Sequence, residues 1–333
     1  MHVMTDIDIE SRPGARTSAF AVANADGATI RGAVHRPIRG PGGGGDTIPV
    51  DAVILAVPGL GAPLRSTLKP ALHLIANGFT VVRFDPTNAV GHSDGTIREF
   101  TPQGLVQDLH AVSCWAREQF PGCQLAYLGS SISGRAALRA AAQAGSGVAM
   151  VGTLGCVVDM RATLTALRGG RDAVVDLRHS RLPDQVTLLG HTISTDCAPA
   201  VVAEDWLSVE STVIDAQAGP YWHNVQGGAD PWVSLEDART VARRVGTAVL
   251  TEISGAGHTF SGADRVVALE TLVRDYHRHL RVEAAVSSSS SSSSPPTPRA
   301  QPEQRIPTRL DLAMMQRIED RLDTVLTSIR PTD

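Results

Sequence analysis

Leu125-Ala-Tyr-Leu-Gly-Ser-Ser-Ile-Ser-Gly-Arg135 is the stretch of sequence that decides the fold. Its first four residues predict a short buried strand, the small residues from Gly129 to Ser133 predict a tight turn, and the alanine-rich continuation predicts a helix. A serine at the tip of a strand–turn–helix unit is typical of a nucleophile elbow, usually written Gly-x-Ser-x-Gly. Here Ser131 is the candidate nucleophile and Ser133 replaces the final glycine. An ordinary turn of small residues is the alternative interpretation.

Strands and helices alternate outward from this elbow. Asn24-Ala-Asp-Gly27 predicts a turn that joins two early strands, Phe20–Ala23 and Ala28–His35. Further strands are predicted at Val53–Val57, Phe79–Phe84, Val148–Leu154, Tyr221–Gln226 and Ala248–Ile253. Helices are predicted through Leu68–Ile75, Thr101–Trp115, Leu235–Val245 and Ala263–His279. This alternation predicts an α/β fold with a mostly parallel sheet, as in an α/β-hydrolase.

Residues 156–217 interrupt the alternation. They carry apolar pairs such as Val174-Val175 and Leu188-Leu189 without a regular succession of strand and helix. An insertion of this size between core elements favours a cap over the site. Ordinary packing helices with no role in substrate choice are the alternative.

Composition divides the rest of the chain into segments. We expect a flexible leader over residues 1–16, a globular domain over 17–283, and a disordered Ser/Pro-rich linker over 284–307. Residues 308–330 predict an amphipathic helix with an apolar seam. The seam residues are Met315, Ile318, Leu322, Val325 and Ile329. A helix this short is marginal alone, so it must dock on its own domain, on another copy or on a partner.

The bulk composition excludes several classes of protein. A net charge of −4 argues against nucleic acid as a partner. The glycines between Gly40 and Gly45 lack the Lys-Ser/Thr of a phosphate-binding loop. The four cysteines, which have neither paired nor metal-ligand spacing, are Cys114, Cys123, Cys156 and Cys197. We therefore expect no metal and no cofactor.

The sequence shows no targeting signal. The acidic start lacks the basic and apolar regions of a signal peptide, and no apolar run approaches the roughly 18 residues of a membrane span. We therefore expect a cytoplasmic protein without a membrane span.

Three polar residues follow three predicted core strands in the order serine, acid, histidine. Ser131, Asp230 and His258 each follow a strand, and the carboxyl ends of parallel strands meet at one sheet edge. Asp205 and Asp215, both inside the insertion, are alternatives for the acid. His92 is a further candidate for a residue lining the site, although a loop role is the simpler interpretation.

These residue types suit nucleophilic catalysis. A serine hydroxyl needs a base within reach, which His258 would supply, and Asp230 would hold the imidazole in one tautomer. The oxyanion needs backbone donors, and losing one costs about 3–4 kcal/mol of barrier at comparable sites. The amide of Ile132 is one candidate donor, and the amide of Leu60, in Pro58-Gly-Leu-Gly61, is the other.

Beyond the elbow, several motifs carry a family resemblance across about residues 50 to 262. The more specific ones are Asp94-Gly-Thr-Ile97, Glu99-Phe-Thr101 and Asp230-x-Trp232-Val233; the others are Asn77-Gly-Phe79, Arg83-Phe-Asp85, Val90-Gly91, Ser93, Ser130-Ser-Ile-Ser133 with Arg135, Val157-Val158 with Arg161, and Gly257-His258. In these segments the chain resembles the acyl transferase, or acyl-carrier-protein thioesterase, of the bacterial bioluminescence fatty-acid reductase system, an α/β-hydrolase family. That family also carries serine in place of the final elbow glycine, and its triad maps to Ser131, Asp230 and His258.

The resemblance implies cleavage of long-chain acyl thioesters, with acyl carrier protein, or else coenzyme A, as the carrier. The linker and terminal helix have no counterpart in the family, and they suggest a tethered partner or self-association in lipid or polyketide assembly. A carboxylester hydrolase is the enzymatic alternative. A non-catalytic scaffold that recruits partners through the C-terminal helix is the alternative of another class.

Overall fold

A computed structural model describes residues 3–7, 15–37, 50–288, 307 and 309–329. The strands are β1 Val3–Ile7, β2 Ala15–Ala23, β3 Thr29–Pro37, β4 Ala52–Val57, β5 Thr80–Asp85, β6 Gln124–Ser130, β7 Val148–Leu154, β8 Gln185–Leu188, β9 His191–Ser194, β10 Tyr221–Gly227 and β11 Ala248–Ile253. The α-helices are α1 Leu68–Ala76, α2 Pro102–Gln119, α3 Ile132–Ala142, α4 Met160–Leu167, α5 Ala173–Arg178, α6 Ala198–Ala203, α7 Val209–Ala218, α8 Leu235–Arg244, α9 Gly262–Ser288 and α10 Arg309–Ser328.

Nine of these strands form one sheet in the order β1-β2-β3-β5-β4-β6-β7-β10-β11. The first three strands pair antiparallel, and β3 joins the others antiparallel to β5. From β5 to β11 every pairing is parallel. The mostly parallel α/β sheet of an α/β-hydrolase fold is therefore confirmed.

Strand β4 shows why the core strands read as continuous apolar runs. All six of its residues, Ala52–Val57, are buried. Because side chains alternate across a sheet, Val53 and Leu55 join the core on one face, while Ile54 and Ala56 join the core on the other. A strand covered on both faces has no solvent-facing side and so shows no polar alternation.

The helices are divided between these two cores. Residues of α2, α3, α7 and α8 pack in one of them, and residues of α1, α9 and α10 pack in the other. The connections that follow the carboxyl ends of the parallel strands carry the polar residues singled out above.

The segment between β7 and β10 forms small elements instead of one crossover helix. It contains α4, α5, the antiparallel hairpin β8–β9, α6 and α7. The last of these, α7, packs against α3 and α8 and belongs to the core layers. We refer to residues 156–208, which precede α7 and fall within the predicted insertion 156–217, as the cap.

Two predicted segment boundaries need correction. The leader over 1–16 includes β1, which pairs antiparallel with β2, and β2 itself already begins at Ala15. The predicted linker over 284–307 begins inside α9, which continues to Ser288. Both errors arise where composition predicts disorder but backbone pairing, or continuation of an existing helix, decides the local structure. Residues 289–306 of the predicted linker lie outside the described residues.

Helix α10 packs on the chain's own globular domain. Its buried apolar residues are Met315, Ile318, Leu322 and Leu326, and the buried Ile329 follows directly after it. They share one core with residues of α1 and α9. The apolar seam predicted from the sequence therefore lies against the domain itself.

Among the described helices, none combines the length and the apolar character that crossing a bilayer requires.

Candidate active site

Ser131 lies at the junction of β6 and α3 in a backbone conformation that non-glycine residues rarely adopt. Its φ is 56° and its ψ is −127°, which is the strained geometry of a nucleophile elbow. The turn is tight enough that a Cβ added to Gly129 would lie 2.7 Å from the backbone nitrogen of Gly134. Glycine at position 129 therefore permits the close approach of strand and helix that exposes the Ser131 hydroxyl.

The structure brings the three predicted residues together. His258 Nε2 lies 3.0 Å from Ser131 Oγ, and His258 Nδ1 lies 2.7 Å from Asp230 Oδ2. An ionised carboxylate only accepts hydrogen bonds, so Nδ1 carries the proton and Nε2 is free to accept from the serine hydroxyl. This is the hydrogen-bond order of a serine nucleophile, a general base and an orienting acid.

Every oxygen of the Asp230 carboxylate has a partner. Oδ1 accepts from the backbone amides of Trp232 and Val233 at 2.9 and 3.0 Å, and Oδ2 also accepts from Gln226 Nε2 at 2.9 Å. Burial raises the pKa of Asp230, but the hydrogen bonds from His258 and the two amides outweigh it and the pKa is lowered on balance. With its side chain only 1% exposed, this carboxylate is ionised and fixed in position.

The alternative acids lie elsewhere. Asp215 pairs with Arg135 and Arg139 of α3. Asp205 accepts from Ser208 Oγ at 3.2 Å. His92 is bonded to Asp323 of α10, so the structure places it beside the C-terminal helix and not beside Ser131.

The two candidate oxyanion donors flank the nucleophile. Ile132 begins α3 directly after Ser131, and Leu60 lies in the loop after β4 and borders Ser131 in the adjoining cavities. Ser133 connects α3 to the loop after β4, because its Oγ donates a hydrogen bond to the carbonyl of Pro58 at 2.5 Å. The residue that replaces the usual elbow glycine thus ties the start of the Leu60 loop to the nucleophile helix.

A cavity of about 160 Å3 opens from Ser131 beneath the cap. Its walls are largely apolar. The cap contributes Leu164, Leu167, Val174, Leu177, Val186, Leu188, Ile193, Val201 and Leu207. Such a cavity can desolvate an alkyl chain while leaving its carbonyl carbon at the serine hydroxyl.

A second cavity of about 370 Å3 meets the first at Leu60, Ser131 and Leu189. Its lining is more mixed, with hydroxyl groups and one guanidinium group beside apolar side chains. His258, Trp232 and Arg265 border it on one side. The nucleophile therefore faces two compartments of different polarity.

Several residues around the site were not assigned a role from the sequence. Trp232 sets its ring edge toward the His258 imidazole, with centroids 5.0 Å apart, and the cap residues above form the apolar cavity. Arg83 and Asp85 hold Leu64 at the far end of the Leu60 loop. The Asp230-x-Trp232-Val233 motif pointed to Trp232. No local sequence pattern could show that Arg83 and Asp85 of β5 bind a residue in the loop after β4.

Comparison with known proteins identifies the family of this chain. Residues 54–284 match a protein family described as acyl transferase. An acyl transferase from Photobacterium leiognathi is 28% identical over 148 residues, covering 43% of this chain and 44% of the relative. One from Photorhabdus luminescens is 33% identical over 148 residues, covering 43% and 45%. The matched segment therefore spans less than half the length of either curated relative.

A solved structure supports the fold assignment. The structure of Est1E from Butyrivibrio proteoclasticus with bound ferulic acid superposes with a TM-score of 0.62 at 17% identity. The superposition covers 78% of this chain and 99% of Est1E. At that identity the likeness bears on the fold alone.

Proposed function

Because this chain belongs to the acyl transferase family and is an enzyme of the serine hydrolase type, we propose that it cleaves acyl thioesters through an ester formed on Ser131. The observation that carries this proposal is the hydrogen-bonded series Ser131–His258–Asp230 at the mouth of an apolar cavity. The series supplies an activated nucleophile, and the cavity supplies a place for an acyl chain.

In the first half-reaction Ser131 Oγ attacks the thioester carbonyl carbon while His258 Nε2 takes the hydroxyl proton. The imidazolium that forms is stabilised by the ionised Asp230. Negative charge develops on the carbonyl oxygen, where the amides of Ile132 and Leu60 would donate. The carbon–sulfur bond then breaks, and the proton on His258 goes to the leaving thiolate.

In the second half-reaction an acceptor replaces the thiol. His258 removes a proton from water, or from another hydroxyl acceptor, as the acceptor oxygen attacks the acyl-Ser131 carbonyl carbon. Collapse of the second tetrahedral intermediate returns the proton to Ser131 Oγ and releases the acid or the new ester. Water gives hydrolysis and any other acceptor gives transfer, so one serine site serves both.

Thioesters of acyl carrier protein, or of coenzyme A, are the proposed substrates. The family assignment supports acyl transfer, and the apolar walls under the cap support an alkyl acyl group. A pathway in lipid or polyketide assembly remains the proposal made from the sequence.

The direct test is turnover of acyl thioesters of increasing length, each offered on carrier protein and on coenzyme A. We expect release of the free thiol by the wild-type protein and a loss of at least about 10⁴-fold in Ser131→Ala. A serine-directed phosphonate should label the wild type and spare Ser131→Ala. Equal labelling of both proteins would contradict the assignment of the nucleophile.

Matched oxygen esters of the same acyl groups separate thioesterase from carboxylesterase activity. A higher kcat/KM for the thioesters is expected here, and a preference for the oxygen esters would favour the carboxylester hydrolase instead. The scaffold alternative has less support, because the seam of α10 is buried against the chain's own domain.

A further inference from the structure

The C-terminal helix α10 carries one buried acidic residue on its otherwise apolar docked face. Glu319 is 0% exposed and forms an ion pair with Arg83 of β5, which is also 0% exposed. Among the described residues, its second oxygen, Oε2, has no hydrogen-bond partner. The Glu319 carboxylate is therefore held by Arg83. Removing one member of an ion pair this deeply buried would leave the other as an uncompensated charge.

Arg83 also contacts the loop after β4. Its Nη1 donates to the carbonyl of Leu64 at 3.2 Å, and its Nε donates to His35 Nε2 at 3.0 Å. Asp85, two residues further along β5, accepts from the Leu64 amide at 2.5 Å. Both backbone polar groups of Leu64 are therefore held by side chains from the end of one strand.

Leu64 is the far anchor of the loop that carries the oxyanion donor. The near anchor is Pro58, whose carbonyl accepts from Ser133 Oγ of the nucleophile helix. Leu60 lies between the two anchors and borders Ser131. The position of its amide relative to Ser131 therefore depends on both anchors.

We propose that Glu319 is a positioning residue for catalysis, which acts through Arg83 and Leu64 to fix the oxyanion loop, residues 58–64. The inference rests on the proposed function, in which Leu60 donates to the oxyanion. It assigns the C-terminal helix a role in completing the active site of its own chain. Without its carboxylate partner the buried guanidinium of Arg83 would reorient, and the Leu64 carbonyl would lose its link to β5.

The test compares full-length Glu319→Gln with two controls on the same helix. Asp320→Asn removes a neighbouring charge whose ion pair with Arg65 is exposed. Leu322→Ala deletes a fully buried apolar side chain of the same helix and leaves the carboxylate of Glu319 in place. At a temperature where circular dichroism shows all proteins folded, we expect Glu319→Gln to lower kcat about 10- to 100-fold with little change in KM. Both controls should keep kcat within about 2-fold.

Amide hydrogen exchange gives a second readout that needs no substrate. Peptides covering residues 58–66 should exchange faster in Glu319→Gln than in wild type or in either control. This measurement separates the two proposals, because a wild type that fails to cleave thioesters would refute the function while exchange would still report the link from Glu319 to the loop.

The double variant Arg83→Met with Glu319→Met guards against a simple folding defect. Replacing a buried ion pair with apolar side chains is often tolerated, so this variant should be stable. Its kcat should remain low because the Leu64 carbonyl has lost the Arg83 donor and keeps only the hydroxyl of Thr67, at 2.7 Å, from its own turn. Wild-type kcat in the double variant, wild-type kcat in Glu319→Gln, or an equal loss in Leu322→Ala would each overturn the proposal.

Discussion

In the proposed mechanism, the reactivity of Ser131 depends on the residues that fix its partners. His258 is 9% exposed and is held between the serine and a carboxylate whose two oxygens are fully engaged. A base held in this way does not need to reorganise when the serine proton moves. Replacing a side chain that orients His258 should therefore lower kcat nearly as much as replacing His258 itself.

Asp230→Asn should lower kcat by about 10⁴-fold with the fold intact, because an amide at this position no longer selects the tautomer with Nε2 free. Steady-state turnover of the best thioester measures the loss, and Asp205→Asn is the matched control. A comparable loss in Asp205→Asn would reassign the acid to the cap.

Ser133→Ala should lower kcat about 10-fold by releasing the Pro58 carbonyl and thereby the oxyanion loop. Ser113→Ala is the matched control, because Ser113 is equally buried and its hydroxyl bonds only to Tyr127 OH, at 2.7 Å, within the described residues. Both variants should lose about 1 kcal/mol of unfolding free energy in urea titrations. Equal kcat values in the two variants would argue against the role of Ser133.

The cap hairpin offers a direct test of whether the apolar cavity binds the acyl chain. Val186 and Leu188 of β8 line the cavity, whereas the intervening Thr187 is exposed, as the alternation of a strand requires. Substitutions at neighbouring positions of one strand therefore act on opposite sides of the cap.

Val186→Trp should reduce kcat/KM for long acyl chains about 10-fold or more while leaving short chains nearly unaffected, because the added indole occupies part of the cavity. Thr187→Trp adds the same volume outside and should leave the chain-length profile unchanged. Chain-length profiles of kcat/KM check both variants. Matching profiles for both variants would show that the acyl chain binds elsewhere.

The core elements were predictable from the sequence, and so was the presence of an insertion, but the helices and the hairpin inside that insertion were not. Strand β7, Val148–Leu154, was predicted to the residue because it is an apolar run bounded by glycine. Ser131, Asp230 and His258 were selected because each follows a predicted core strand and because parallel strands end at one edge of the sheet. The hairpin β8–β9 has short strands of mixed polarity that rely on contacts far away in the chain, and the ion pair of Glu319 with Arg83 joins segments whose pairing no local pattern encodes.

One buried acid of α9, Asp275, links that helix to β10 in the sheet. Asp275 Oδ2 lies 2.6 Å from His223 Nδ1 of β10 and accepts from Tyr221 OH at 2.7 Å. Burial raises the pKa of Asp275, but these hydrogen bonds outweigh it and lower the pKa to about 2. The side chain is only 8% exposed, so solvent screens the interaction little.

The depressed pKa of Asp275 predicts how the stability depends on pH. The stabilisation is complete above the unfolded pKa of about 4 and is lost as the pH falls toward the folded pKa, with a size of about 2 kcal/mol. Asp275→Asn should therefore lower the free energy of unfolding at pH 7. The difference in that free energy between the variant and the wild type should shrink as the pH falls from about 4 to about 2. Urea titrations across that range measure it, and a difference that stays constant would contradict the prediction.

The proposed mechanism requires a covalent acyl ester on Ser131, at the edge of the sheet. The most direct measurement is the intact mass of the protein after it is mixed with an acyl thioester and quenched in acid within the first turnovers, followed by peptide mapping. We predict a mass increase equal to one acyl group, located on Ser131 and absent from Ser131→Ala. Turnover with no acyl adduct at any quench time, or an adduct on another residue, would contradict it.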